Sequence, residues 1–311
     1  MNIYNDFSSI SSIKHPVLTI GTFDGVHIGH KKIIDQLNEE AAKIGGESVL
    51  FTFFPHPRMV IFPESHGLKL IQTQEEKLEK LKEMGLQNVI VFPFTFEFSR
   101  LSALEFVRDM LVNQLHVKKL VIGYDHQFGK NREGSIHFLR DVAETYEFEV
   151  IEIPAQDIDA VHVSSTKIRE ALLTGDIEKA NDYLGAPFQL SGTVVQGKQL
   201  GRTIGFPTAN LSLANDLKLI PQNGVYAVKV FYKEQCFEGM MNIGIRPTIE
   251  GKNDPTIEVH IFDFDQTIYG DNLRVELYKK TREEQKFNGI DALKDQLKSD
   301  EISIRNFFNH P

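Results

Sequence analysis

Two histidines three residues apart could bind the phosphates of a nucleotide. The segment Gly21–His30 reads GTFDGVHIGH and places His27 and His30 on either side of Gly29. Imidazole N–H groups can donate to phosphate oxygens while a bond to the α-phosphorus forms and pyrophosphate leaves. Gly29 has no side chain, so a nucleotide could approach the backbone there. Two other interpretations stay open: the pair caps a helix, or it holds a zinc ion.

Three further segments carry side chains suited to the same chemistry. Ser164–Arg169 (SSTKIR) offers hydroxyls and a guanidinium for β- and γ-phosphates, although such a sequence often only caps a helix. His56 lies between two prolines and could contact a phosphate or lie exposed in a rigid turn. The rings of Gly123–Gly129 (GYDHQFG) could stack on a flat heterocycle.

A second set of candidates lies in the last third of the chain. Gly201–Asn210 (GRTIGFPTAN) contains Thr208 and Asn210, whose neutral oxygens suit a magnesium ion that keeps several waters and bridges ATP phosphates. Glu258, on an otherwise apolar predicted strand, is a candidate general base. In the alternative interpretation the loop is structural only and Glu258 faces solvent.

Short apolar segments alternate with amphipathic helical stretches between Val17 and about Leu184. Segments this uniformly apolar indicate strands buried on both faces, and capping boxes at Thr73–Glu76 and Ser102–Glu105 begin two of the helices. The alternation predicts a Rossmann-like parallel sheet, which binds ligands beyond the carboxyl ends of its strands. The first four motifs should therefore converge on one edge. The predicted strands are Val17–Ile20, Val49–Phe53, Val89–Phe92, Leu120–Ile122 and Val150–Ile153.

The alternation of strand-like and helical segments ends after Leu184. Strand-like segments separated by turns follow, which predict an antiparallel barrel or sandwich, and residues 291–308 predict a terminal helix. Because proline cannot continue a helix, Gly185–Pro187 marks the predicted boundary between domains 1–184 and 185–311. The predicted strands are Phe188–Val195, Val225–Tyr232, Cys236–Ile243, Thr256–Phe264 and Asn272–Leu277.

Length and composition agree with two globular domains. The chain has 311 residues, of which 41% are hydrophobic and 25% charged. A net charge of -9 disfavours a broad surface for nucleic acid or anionic membranes. The single cysteine, Cys236, allows no internal disulfide, and no apolar run or signal peptide is evident, so we expect a cytoplasmic protein. The sequence does not determine the oligomeric state, and a homo-oligomer is one of the open alternatives.

The HIGH segment resembles the His-x-Gly-His signature of the nucleotidyltransferase superfamily. An ordered set of motifs resembles, over nearly the whole chain, the bacterial family of bifunctional riboflavin kinase/FMN adenylyltransferases, also called FAD synthetases. The motifs are His27–His30, Pro55–Pro57, Ser165–Arg169, Phe206–Asn210, Asn242–Thr248 and Glu258–His260.

The resemblance implies an α/β module that adenylylates FMN to FAD with release of pyrophosphate. In that module Asp125 and Phe128 would lie near the flavin, although His126 stands where relatives often carry Phe. His27 and His30 would be the catalytic residues. The residues implied to bind ATP are Gly21, Phe23, His27, Gly29, His30, His56, Ser165, Thr166 and Arg169.

The same resemblance implies a six-stranded, Greek-key-like barrel with a terminal helix that phosphorylates riboflavin with ATP and Mg²⁺. Gly205, Thr208 and Asn210 would bind Mg-ATP, with Thr208 and Asn210 as metal ligands, and Glu258 would accept the proton of the ribityl 5′-hydroxyl. Two alternatives remain. One is a nucleotidyltransferase for another phosphate substrate with a non-catalytic β domain, and the other is a non-catalytic flavin-binding protein.

Overall fold

The computed structural model describes residues 1–7, 10–64, 67–124, 126–154, 163–197, 199–247 and 253–309. The chain divides into two compact units, Met1–Ser165 and Thr166–Pro311. Among the described residues, no helix combines the length and the apolar character needed to cross a membrane.

A six-stranded, entirely parallel sheet forms the first unit, with strand order β1-β4-β3-β2-β5-β6. The five strands predicted for this sheet are confirmed, and β1 joins its edge as an addition. The strands are β1 (Asn2–Tyr4), β2 (Val17–Ile20), β3 (Ser48–Phe54), β4 (Asn88–Pro93), β5 (Lys119–Gly123) and β6 (Glu149–Ile153).

Helices follow most of these strands, and both predicted capping boxes are present. The sheet is buried on both faces, because Val17 and Leu18, whose side chains point to opposite faces, belong to different core clusters and are both fully buried. The helices of this unit are α1 (Ile28–Lys43), α2 (Pro57–Ile61), α3 (Gln74–Glu83), α4 (Ala103–Glu105), which continues as a π-helix (Phe106–Gln114), and α5 (Ile136–Tyr146). A further helix, α6 (Ser165–Thr174), begins at the last residue of this unit and belongs otherwise to the second.

The second unit contains the predicted antiparallel barrel, which is closed in the order β10-β11-β8-β7-β12-β9. Its strands are β7 (Phe188–Val195), β8 (Ala209–Leu213), β9 (Gly224–Tyr232), β10 (Gln235–Pro247), β11 (Asn253–Ile261) and β12 (Asn272–Arg282). Strand β11 begins and ends three residues earlier than predicted. Strand β8 was not among the predicted strands, and its first two residues lie in the segment Gly201–Asn210 that the sequence indicated as a loop.

Two helices pack against the barrel in this unit, α7 (Ile177–Leu184) and α9 (Ile290–Asn309), and a short helix, α8 (Leu200–Thr203), precedes β8. The Asn181 side chain of α7 donates to the carbonyl of Leu277 in β12 and accepts from the N–H of Phe188 in β7, at 2.8 and 2.7 Å. Helix α7 is therefore part of the barrel unit, and the chain divides at Ser165, ahead of Gly185. The predicted domain boundary stays a prediction for where one activity ends and the other begins.

Candidate active sites

The two histidines of the first motif form a reciprocal cap at the start of α1. His27 is the N-cap, and its Nδ1 accepts from the N–H of His30 at 3.1 Å, while Nδ1 of His30 accepts from the N–H of His27 at 3.4 Å. An acceptor nitrogen carries no proton, so these bonds assign the proton of each neutral ring to Nε2. The His30 side chain also makes a hydrogen bond to the backbone of Gly25.

Burial keeps this pair neutral. His27 is 7% exposed, and loss of hydration lowers its pKa to about 4. Burial also holds the pKa of His30 well below its ordinary value, and the neighbouring His27 adds to that effect. Neutral imidazoles at the N-terminus of a helix can donate to phosphate oxygens but carry no charge of their own at neutral pH.

An aromatic stack fixes the two rings. The Phe23 ring lies 4.2 Å from that of His30, which lies 3.6 Å from that of His27, and the planes are nearly parallel. A Cβ at Gly29 would lie 3.1 Å from the His27 ring, and one at Gly21 would lie 2.7 Å from the Phe23 ring. Both glycines therefore make room for these rings, and the approach of a nucleotide to the backbone at Gly29 stays a prediction.

His56 and Ser165 also lie in the first unit, as does Phe128. His56 caps α2, its Nδ1 accepting from the N–H of Arg58 at 3.2 Å, and the Ser165 hydroxyl donates to the Asp24 carbonyl at 2.8 Å. Ser165, the last residue of the first unit, is thus tied to the loop that leads to the histidines.

The remaining predicted residues of this site divide into three cases. Phe128 is partly buried, with its ring 5.9 Å from that of His126 and 5.5 Å from that of Phe106. Asp125 lies outside the described residues. Thr166 and Arg169 continue α6 as part of the second unit.

Lys77, a buried residue of α3, was not among the site residues predicted from the sequence. Its side chain reaches the end of β2, where Nζ lies 3.3 Å from the Thr22 carbonyl oxygen, and burial lowers its pKa to about 8. The available signal was helical spacing, because Lys77 lies four residues before Leu81, which is fully buried.

In the second unit, strand pairing places three polar residues in one row. Glu258 on β11 is paired with Asn210 on β8 and with Asn242 on β10. The Thr208 hydroxyl donates to Glu258 Oε2 at 3.3 Å. The neighbours Ile257 and Val259 are buried, so the Glu258 side chain lies on the opposite side of the strand, where it lines a cavity.

Two cavities of about 330 and 340 Å³ meet at Thr208, which lines both. The first is also lined by Glu258, and the second is not. Besides Glu258, the first is lined by Met240, Met241, Asn242, Arg282, Glu284 and Phe287, among others, and the second by Arg202, Phe264, Asp265, Thr267, Ile268 and Tyr269, among others.

The loop before β8 is shaped around the predicted kinase residues. Gly205 adopts a left-handed φ of +88°, and a Cβ at Gly197 would lie 2.3 Å from the Asn210 amide nitrogen. His260 Nδ1 donates to the Pro207 carbonyl at 2.7 Å, because a carbonyl oxygen can only accept. The loop, β8 and β11 therefore hold Thr208, Asn210 and Glu258 in one place.

Arg282, which lines the cavity that contains Glu258, is partly buried and forms an ion pair with the buried Asp300. The Arg282 guanidinium donates to the Asp300 carboxylate of α9 through Nε and Nη2, at 3.0 and 2.8 Å. Sequence analysis singled out neither residue, because only folding brings the end of β12 to the terminal helix. Within the described residues, no group of three His, Cys, Asp or Glu side chains could hold a metal ion.

Comparison with known proteins covers both units. A family model described as FAD synthetase matches residues 9–167, and one described as riboflavin kinase matches residues 184–308. Curated proteins of Listeria monocytogenes and Escherichia coli K12, each named bifunctional riboflavin kinase/FMN adenylyltransferase, are 40% identical over 292 and 293 residues, covering 94% of this chain and 92% of each relative.

A solved structure shares the fold over nearly the whole chain. It is described as a macrolide-efflux protein from Streptococcus pneumoniae, is 33% identical, and superposes with a TM-score of 0.88 over 98% of this chain and 99% of its own. The two family models match successive parts of the chain, and the curated relatives match across both parts. The chain therefore belongs to the family of bifunctional riboflavin kinase/FMN adenylyltransferases.

Proposed function

We propose that the chain makes FAD by two ATP-dependent transfers. Riboflavin and ATP give FMN and ADP in the barrel unit, and FMN and ATP give FAD and pyrophosphate in the parallel-sheet unit. The observation that carries this assignment is a chemical difference between the two sites. The barrel presents a carboxylate, Glu258, in one of two neighbouring cavities, whereas the sheet presents two neutral imidazoles.

The phosphorylation step needs a base. The ribityl 5′-oxygen bonds to the γ-phosphorus, the bond from that phosphorus to the leaving ADP oxygen breaks, and the hydroxyl proton passes to Glu258. The base must lie within reach of the 5′-hydroxyl that accepts the phosphoryl group, so riboflavin binds in the cavity lined by Glu258. ATP then binds in the second cavity. Thr208 lines both cavities and therefore lies where the phosphoryl group is transferred.

Magnesium fits the barrel site as an ion held mainly by the nucleotide. The amide of Asn210 is seated against Gly197, and the Thr208 hydroxyl directs its proton to Glu258, so its oxygen can face a cation. Mg²⁺ commonly takes one or two protein oxygens and completes its shell with water and phosphate. Thr208 and Asn210 would hold it, and it would neutralise charge on the transferred phosphoryl group.

Adenylyl transfer needs no base, because the attacking FMN phosphate is already anionic. An FMN phosphate oxygen bonds to the α-phosphorus of ATP while the bond to the pyrophosphate oxygen breaks. His27 and His30 donate through Nε2–H to the phosphate oxygens, and His56, Ser165, Thr166 and Arg169 complete the predicted ATP contacts. Asp125 and Phe128 are the predicted flavin contacts.

Two expectations about cellular context rest on composition. The single cysteine, Cys236, favours a reducing cytoplasm, and the net charge of -9 argues against a nucleic-acid partner. The partners that the chemistry requires are ATP, riboflavin and FMN.

The test incubates the full chain with riboflavin, ATP and Mg²⁺ and separates the flavins by chromatography. Glu258→Ala should abolish FMN formation but leave conversion of added FMN to FAD intact. His30→Ala should do the reverse. If each substitution stops both reactions in a folded protein, the assignment of one reaction to each unit is wrong. If the unaltered chain makes no FMN, the kinase assignment fails.

A further inference from the structure

The ammonium group of Lys77 is buried and poorly hydrogen-bonded. The residue is 6% exposed, and Nζ lies 3.3 Å from both the Thr22 carbonyl oxygen and the Thr52 hydroxyl, longer than ordinary N–H···O bonds. Within the described residues, no carboxylate oxygen lies within 4 Å of Nζ. A buried lysine without an anion loses hydration without compensation, so an anionic ligand would stabilise it.

Lys77 lines a small cavity that also has an unsatisfied donor. The cavity has a volume of about 20 Å³, enough for one water or one ligand oxygen, and His56 and Gln74 also line it. The Gln74 Nε2 amide group is buried and has no acceptor among the described residues. Two independent donors thus point to an oxygen ligand that belongs there.

The same cavity adjoins the loop that leads to the histidine pair. Thr22 and Asp24 line it, and the charge of Lys77 contributes to lowering the pKa of His30. The titratable groups near Lys77 are the Asp24 carboxylate, which raises the pKa of Lys77, and the neutral imidazole of His30. Asp24 Oδ1 accepts from the N–H of Ile71 at 3.0 Å, so that oxygen is directed to the backbone.

We propose that Lys77 is a phosphate-binding residue of adenylyl transfer, and that it forms with Gln74 and His56 a subsite for one phosphate oxygen. This inference rests on the proposed function. The oxygen comes from the pyrophosphate part of ATP or from the FMN phosphate, which share the same chemistry. Binding gives Lys77 the anion that the described residues do not supply.

The test uses the full chain with Lys77→Met, Gln74→Met and the control Lys80→Met. Lys80 lies on the same helix outside the cavity, and its ammonium is paired with Glu83 at 3.1 Å. The measurements are KM for ATP and FMN in FAD formation and KM for inorganic pyrophosphate in the reverse reaction, in which FAD and pyrophosphate give FMN and ATP. These reactions report the first unit alone, and riboflavin phosphorylation reports the second.

We expect Lys77→Met to raise one KM by roughly tenfold or more, the size of a lost charged hydrogen bond, and Gln74→Met to raise the same KM by less. A rise for pyrophosphate and ATP assigns the subsite to the nucleotide, and a rise for FMN alone assigns it to the acceptor. Lys80→Met should change neither KM, and riboflavin phosphorylation should stay constant.

A fall in kcat with every KM unchanged would mean that Lys77 only supports the loop, and the inference would be wrong. If Lys77→Met does not fold, Gln74→Met decides in the same way, and an unchanged KM for all three ligands overturns the subsite. These outcomes differ from a failure of the proposed function, which would show as absence of FAD formation by the unaltered chain.

Discussion

Acid should destabilise the parallel-sheet unit through His27. The perturbation is a change from pH 7.5 to pH 5, which protonates histidines of the unfolded chain. His27 has a pKa of about 4 in the folded protein, against an ordinary value of 6.5. A group whose pKa is lowered by folding contributes full stability above its unfolded value, and that contribution is lost as the pH falls toward its folded value.

The magnitude follows from those two values. Each unit of difference in pKa corresponds to about 1.4 kcal/mol, so the complete loss below pH 4 is about 3 kcal/mol, and the loss between pH 7.5 and pH 5 is about 2 kcal/mol. His30 adds a loss of the same sign, because burial lowers its pKa as well. Such a loss is a large share of the free energy of unfolding of an ordinary domain.

Hydrogen exchange measured by mass spectrometry can follow the two units separately in the full chain. Peptides covering β2 and β5 report the parallel-sheet unit, and peptides covering β9 serve as the reference. The matched control is His27→Asn, since asparagine also caps helices but does not titrate. Its unfolding free energy should fall by about 2 kcal/mol less between the two pH values. If His27→Asn and the unaltered chain lose the same amount, the neutral, buried state of His27 is wrong.

Three substitutions test other parts of the structure. Gly29→Ala should slow FAD formation from FMN without affecting riboflavin phosphorylation, because its Cβ would lie 3.1 Å from the His27 ring; steady-state rates of both reactions check this. Thr208→Val should raise the Mg²⁺ concentration needed for half-maximal FMN formation, and an unchanged requirement would remove Thr208 from the proposed metal ligands. Asp300→Ala should lower the free energy of unfolding of the barrel unit by about 3 kcal/mol, because it leaves the Arg282 guanidinium without its carboxylate. Urea unfolding followed by circular dichroism measures this change. An unchanged unfolding midpoint would contradict the prediction.

Patterns of residues close in sequence predicted most of the helices and strands. The strands that they did not predict depend on pairing with partner strands distant in sequence. Strand β1 has only three residues and hydrogen-bonds only to β4, so no local pattern identifies it. Strand β8 begins with Ala209 and Asn210, residue types that are uncommon in strands, and it is stabilised by β7 on one side and β11 on the other. In both cases the partner strands determine the structure, and they are distant in sequence.

The candidate sites show the same division between local and long-range information. His27, His30 and Glu258 could be chosen from residue type and position, because a strand end, a helix start and a lone carboxylate on an apolar strand are local features. The row of Asn210, Glu258 and Asn242 could not, because it depends on the register of three strands. Lys77 was missed for a related reason, since only the packing of α3 on the sheet shows that its charge is buried next to the β2 loop.

The position of the two imidazole rings at the start of α1 allows the histidine pair both to cap the helix and to bind phosphate. A neutral imidazole has one acceptor and one donor nitrogen, and the helix start uses the acceptor, Nδ1, of both His27 and His30. The donor, Nε2–H, is then fixed in position by the backbone and needs no further reorientation when phosphate arrives. Burial keeps both rings neutral, so the proton stays at Nε2 and Nδ1 stays an acceptor. The cap therefore prepares the donors, and a substitution that keeps the cap but removes Nε2–H, such as His27→Asn, should preserve the helix and weaken adenylyl transfer.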